Sequence, residues 1–305
     1  MAVSEQALPT VSRPSRVRRI WESISIIFAS KTAIIGLIIV LFWVFAAIFA
    51  PLLTPYTATD QDYTAQNQGP SATHLLGTDD LGRDLWARLI YGARVVLVML
   101  PINDNLWLPG GTALWGVFLG LLIGATLGLM GGYLGGWIDE VVMRVLDAMM
   151  AFPVILLYMI IIAAIGASAT NVVLAIAIVG TPGIARLVRS LALDIRTRDY
   201  IRAAELRGES AWYIMFVEIL PNARGPLIVD SCLRLGYVII TIGVLGFLGL
   251  GLPPPDPDWG GMINENRAMA MTFPHVALFP CLAISSLVLG FNLLADGLRE
   301  IALRD

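Results

Sequence analysis

Few residues in this chain are equipped for chemistry, and their spacing narrows what they can do. Along residues 186–224 the charges alternate through Asp194, Arg196, Arg198, Asp199, Arg202, Glu205, Arg207 and Glu209. Alternation of this kind leaves little net charge, so it sets register against another surface rather than attracting a polyanion. Ala203 and Ala204 make a small, flat patch among these charges. A surface on which another protein docks is one reading, and a solvated loop is the other; composition alone does not separate them. Asp230 and Arg234 stand four apart inside an apolar run, on one face of any helix. They line a path through the protein or satisfy each other as a helix pair. Arg144 and Asp147, three apart, pose the same alternatives, and Asn292 and Asp296 suit the polar groups of a helix end.

Other chemistry is excluded. Lys31 is the one lysine and follows Ser30, so a phosphate-cradling loop of the G-x-x-x-x-G-K-[ST] kind cannot form. His74, His275, Cys232 and Cys281 are scattered without metal-ligand spacing, and no resident metal or cofactor is expected. Both cysteines sit in apolar runs and read as small buried hydrophobes.

The elements that carry these residues follow from composition. Of 305 residues, 57% are apolar and 14% charged, with a mean hydropathy of +0.77. A soluble domain carries about a quarter charged residues, so this apolar surface must face lipid. The net charge of −3 also excludes a nucleic-acid binder. An all-α integral membrane protein with six transmembrane helices is expected, at 32–51, 113–133, 142–165, 171–191, 227–250 and 276–294, each near the roughly 20 residues that cross a bilayer. In the first, twelve Leu, Ile, Val or Phe residues favour insertion by about 4–7 kcal/mol. Counting from an inside N-terminal tail, inside segments hold fifteen basic residues and outside segments four, Arg83, Arg88, Arg94 and Arg267. That bias puts both termini in the cytoplasm. The chain then divides into a tail (1–31), a first span (32–51), an external segment (52–112), a core of five spans (113–298) containing the loop 186–224, and a short end (299–305).

Outside, Thr78 reads as the cap of a helix whose first turn holds Asp79 and Asp80. Leu81, Leu85 and Leu89 form an apolar stripe opposite Arg83 and Arg88, as in a helix lying on the membrane surface. Further on, Pro253-Pro-Pro-Asp-Pro-Asp-Trp259 reads as stiff, extended chain with Trp259 anchored at the lipid interface. Inside, the pattern predicts a short helix from Asp199 ended by Gly208, then an apolar helix 212–220 stopped by Pro221.

Asp199-Tyr-Ile-Arg-Ala-Ala-Glu-Leu-Arg-Gly208, followed by Ile219-Leu-Pro-Asn222, resembles the "EAA" loop of ABC-importer permeases. Residues His74–Asp84, Tyr91-Gly-Ala-Arg94, Gly131-Gly-Tyr-Leu-Gly-Gly-Trp137, Ala151-Phe-Pro153, Phe247-Leu-Gly-Leu-Gly-Leu-Pro253 and Phe291-Asn-Leu-Leu-Ala-Asp-Gly-Leu-Arg299 are similar to the dipeptide/oligopeptide permease family, C-type subunit, over about residues 74–300. Three features depart from it. Arg202 stands where the family usually has glutamate, about thirteen extra residues lie around 100–112, and Ala302-Leu-Arg-Asp305 differs from the usual Asp-Pro-basic ending.

The resemblance implies a type I ABC-importer permease fold in the bacterial inner membrane. It further implies a B-type permease partner, two ATPase subunits that hold the ATP and Mg, and an extracytoplasmic solute-binding protein. Tyr200, Arg202, Ala203, Ala204, Glu205, Gly208 and Pro221 would couple to an ATPase, Asp230 and Arg234 would line the pore, and Asp79, Asp80, Arg83 and Trp259 would meet the binding protein. Di- or oligopeptides are the expected cargo; opines, glutathione, nickel chelates and oligosaccharides remain open for the same architecture. A self-sufficient secondary transporter is the contrasting class, against which stands the lack of an inverted repeat.

Overall fold

The computed structural model describes residues 30–103, 106–253 and 256–302. The basic residues of the tail, Arg13 to Arg19, and Arg304 lie outside them. Ten helices and one hairpin carry the argument: α1 (Lys31–Ile48), α2 (Leu85–Ala93), β1 (Met99–Asn103), β2 (Leu106–Pro109), α3 (Thr112–Leu129, extended by a wide turn to Leu134), α4 (Gly136–Met150), α5 (Val154–Ile165), α6 (Ala169–Ile195), α7 (Asp199–Leu206), α8 (Arg224–Phe247), α9 (Trp259–Glu265) and α10 (His275–Ala302). Five of these, α1, α3, α6, α8 and α10, are long and apolar enough to cross a membrane, and α4 with α5 makes a sixth if counted as one. Large apolar side chains on the outer face of α1, among them Ile38 and Phe45, are more than half exposed, as a lipid-facing stripe requires.

The expected third span is not one straight helix. α4 and α5 meet at 92° across Ala151-Phe-Pro153, because Pro153 has no N–H with which to continue the ladder. α5 alone covers about 18 Å. Asp147 does not pair with Arg144; it pairs with Arg186 of α6, and Asp139 pairs with Arg189 at 2.5 Å. The charges of α4 thus find partners across helices, which keeps it beside the end of α6. The chain is mostly helical, as expected, with one addition: the insertion folds as an antiparallel hairpin, β1 against β2. Cys281 is exposed and Cys232 partly so, so neither is the fully buried hydrophobe expected.

What packs α3 against α6 is a ladder of glycines. Gly116, Gly120, Gly124, Gly128 and Gly132 recur every four residues and put one bare face toward α6. A Cβ on Gly128 would lie 2.5 Å from the Ala185 carbonyl oxygen, and one on Gly132 would lie 2.6 Å from the Ala192 methyl. In lipid, where apolar surface gains nothing by meeting apolar surface, such close backbone approach is what holds helices together. α10 uses the same device on α1, where Gly36 faces the backbone of Gly290 and Leu294.

Buried side chains form two main clusters, at opposite ends of the bundle. One gathers Trp43, Leu89, Ile176, Ile239 and Trp259 near the hairpin end. The other gathers Leu129, Val188, Ile201, Ala204 and Ile219 at the end where α6 meets α7.

Candidate functional site

At that second end, α7 and the stretch after it form a two-armed elbow. Asp199 opens α7, where a negative charge suits the helix dipole. The arm closes at Gly208, whose φ of +77° is a conformation glycine adopts without strain. Gly208 N–H donates to Glu205 C=O at 2.9 Å and Glu209 N–H to Ala204 C=O at 3.3 Å, which satisfies the helix's last carbonyls. Ser210 caps the second arm by accepting from Tyr213 N–H. That arm runs through Ala211–Tyr213, Ile214–Ile219 and Leu220–Asn222. It does not stop at Pro221: the chain turns on through the short helix Leu220–Asn222, which carries Pro221 in its first turn.

The elbow's two faces differ in kind. Ile201 and Ala204 are fully buried against Ile214, Met215 and Ile219. The pair Ala203–Ala204 is therefore split: three residues on from Ile201, Ala204 turns inward, and Ala203 stays outside. Tyr200, Arg202, Ala203, Glu205 and Gly208 are exposed with it, as is Pro221. Sequence reasoning missed Leu206, 89% exposed at the tip, and Trp212, stacked on Phe216 at 5.8 Å. An apolar residue out of phase with Ile201 and Ala204 in a charged helix, two residues before its closing glycine, was the available signal. Glu205 accepts from the Tyr133 hydroxyl at 3.0 Å, and Arg196 donates to Gly132 C=O at 3.0 Å. Arg202 lines a shallow hollow with Tyr133, Arg196 and Glu205.

Toward the hairpin end, the segment 52–112 is tied down by charge. The helix starts at Leu85, not Thr78, with Asp84 accepting from Ala87 N–H at 2.7 Å. Residues Thr78–Asp84 instead form a turn around Asp79, which accepts from the Leu81 and Arg83 N–H groups. Arg83 Nε donates to Asp79 at 2.6 Å, and Arg83 and Arg88 both reach Glu265, at 2.7 and 3.0 Å. Arg88 is 1% exposed, and burial pushes its guanidinium below the ordinary range. The expected surface helix with Arg83 and Arg88 in water is thus replaced by a clasp joining α2 to α9. Asp79 and Arg83 are held inside that clasp. Asp80 keeps an open side, its carboxyl pushed up by burial and then by Asp79. Trp259 is not at a lipid interface: it is 2% exposed, donates to Leu89 C=O at 2.9 Å and meets Trp43 edge-on. A buried indole needs such an acceptor.

Within the bundle, Arg234 Nε donates to Asp230 at 2.5 Å. The guanidinium lines a cavity of about 350 Å³ whose walls include Gly120 of α3, Tyr158 of α5, Gly180 of α6, and Tyr237 and Thr241 of α8. Asp230 faces a different cavity, of about 820 Å³, with Arg224 and Arg299.

The chain can be compared with known proteins on this footing. Residues 116–304 match the family described as binding-protein-dependent transport system inner membrane component. Residues 17–70 match the N-terminal transmembrane domain of oligopeptide transport permease C. A dipeptide transport system permease protein of Alkalihalophilus pseudofirmus is 43% identical over 271 residues, 89% of this chain and 85% of that protein. Glutathione transport system permease proteins of Pectobacterium atrosepticum and Salmonella typhimurium are 41% and 43% identical, each over 96% of this chain and 93% of its own length.

Proposed function

Because the chain belongs to the dipeptide/oligopeptide family of binding-protein-dependent ABC-importer permeases, we propose that it forms half of a peptide-conducting pore in a bacterial inner membrane. A B-type permease completes the pore, a solute-binding protein delivers the cargo from outside, and two cytoplasmic ATPase subunits supply the energy. The elbow faces the cytoplasm and docks on one ATPase, as the excess of arginines in 186–224 favours. ATP and Mg stay on the partner chains.

The observation that carries this reading is the exposed tip of a rigid elbow: Leu206 stands almost wholly free while Ile201 and Ala204 anchor the same helix from beneath. An apolar side chain held out on a braced support fits a partner's groove. Ala203 allows close approach beside it, and Tyr200, Arg202 and Gly208 complete the face. Glutathione is the second reading of the cargo, supported by relatives of that name that align over 96% of the chain.

Ala203→Asp and Leu206→Asp test the docking role in the assembled transporter. Each should abolish uptake and ATPase co-purification while leaving membrane insertion at the wild-type level. Undiminished uptake by a fully inserted Leu206→Asp variant refutes it. Uptake of labelled dipeptide against labelled glutathione separates the two cargo readings.

A further inference from the structure

The Asp230–Arg234 pair is shared between two chambers, and this placement gives it a use beyond holding a helix together. Arg234 lies three turns into α8 from Arg224, where an unneeded charge costs a few kcal/mol. Its Nε is committed to Asp230, which leaves the two terminal nitrogens as donors. They lie over Gly183 of α6, where a Cβ would sit 3.1–3.2 Å from them. A glycine in α6 thus makes room for the guanidinium at the wall of the 350 Å³ chamber. On the other side Asp230 borders the 820 Å³ chamber, into which Arg224 and Arg299 also project. Each chamber therefore offers guanidinium groups, and the ion pair stands at the boundary between them.

We propose that Arg234 is a waypoint for the carboxylate of the passing solute, accepting it in the first chamber before it moves toward Arg224 and Arg299 in the second. This rests on the peptide-importer reading above. A guanidinium at a chamber wall, with N–H groups beyond the one committed to Asp230, suits a carboxylate. Asp230 holds the fork in place and moderates the attraction, so that the solute also leaves, as conduction requires.

The test uses the complete transporter, with its partner chains, reconstituted in vesicles. Initial uptake of trialanine is measured as the free acid and as the C-terminal amide, and their ratio is divided by the wild-type ratio, which cancels the delivery protein's own preference. Arg234→Gln should lower this normalised ratio at least tenfold. The exchange of Asp230→Arg with Arg234→Asp rebuilds the i, i+4 pair with its charges reversed, and the ratio should stay low. Restoration of the wild-type ratio by the exchange would assign the pair a purely structural role. Equal loss of both peptides, or an unchanged ratio in Arg234→Gln, also overturns the waypoint. Failure of the wild-type transporter to import either peptide overturns the peptide-importer reading, and the waypoint falls with it.

Discussion

Replacing Gly128 by alanine adds a single methyl group, and its effect can be worked from the α3–α6 contact. The new Cβ would lie 2.5 Å from Ala185 O, 2.8 Å from Val188 Cβ and 3.0 Å from Arg189 N. An ordinary carbon–oxygen contact is about 3.3 Å or more, so α3 must retreat by about 0.8 Å. Two of the three obstacles are backbone atoms, which no rotamer change relieves. A gap of about 0.5–1 Å forfeits a quarter to a half of each dispersion contact along the ladder, and overpacking costs about 1–3 kcal/mol. Against this, alanine gains about 0.8–1 kcal/mol over glycine in a helix. Gly225 in α8 separates the two effects, since nothing lies within 4 Å of its would-be Cβ. In thermal unfolding of the detergent-solubilised protein, Gly128→Ala should lower the midpoint by about 2 °C or more, and Gly225→Ala should hold or raise it. Equal midpoints for the two variants would mean that the ladder does not bring the helices as close as argued.

Three further outcomes are expected. Glu265→Ala removes one of the two carboxylates that Arg83 and Arg88 share, Asp79 being the other; because Glu265 is itself partly exposed, the cost is about 1–3 kcal/mol rather than that of a fully buried pair, read as faster proteolysis within 52–112. Gly208→Ala puts a side chain at φ +77° with open space around it, so only backbone strain of about 1–2 kcal/mol acts; uptake should fall, and fall less for Gly208→Asn. Asp258 is buried, and burial raises its carboxyl from 3.8 to about 6 despite N–H donors from Gly260 and Gly261. A raised folded-state value favours the protonated form, so native stability declines as pH climbs from about 4 to about 6 and is level above. Asp258→Asn keeps an acceptor for Gly260 N–H without the charge; its midpoint should exceed the wild type's at pH 7 and converge on it at pH 4.

The spans were legible because a run of about 20 apolar residues has few other uses, and α7 was legible because Asp199 and Gly208 mark both of its ends. What escaped depended on partners far away in the chain. Glu265 stands 177 residues from Arg88, and nothing local to 78–90 announces it; an amphipathic pattern therefore read as a surface helix. Trp259 has the interfacial residue's mixed character, and only the Leu89 carbonyl explains its burial. In the third span, Pro153 was visible, but the sequence offered Asp147 only Arg144, three residues away, and the true partners of Asp139 and Asp147, Arg189 and Arg186, lie on another helix. The split of Ala203 from Ala204 is a matter of helix phase, set by Ile201. The glycine ladder was open to inspection at a period of four, yet a count of apolar residues passes over it, since glycine adds little hydropathy.

These features bear jointly on how a pull at the elbow would travel. Ala204 and Ile201 sit in the cluster that also holds Leu129 of α3 and Val188 of α6, so the elbow is seated on the glycine-packed pair rather than hung from a loop. Tyr133–Glu205 and Arg196–Gly132 tie the end of α3 to the elbow region, and Arg189–Asp139 adds α4. A displacement of the tip would then carry α3, α4 and α6 with it, because packed elements shift between arrangements rather than deform. α8 lies mainly along α9 and α10, with a lesser contact to α3, and its first turn reaches the elbow's cluster through Leu227. The cavity bordered by Gly120, Gly180 and Arg234 lies where α3 and α6 face α8. Movement of α3 and α6 against α8 would widen or narrow the chamber at Arg234, and this is where force applied at Leu206 would act under the proposed function.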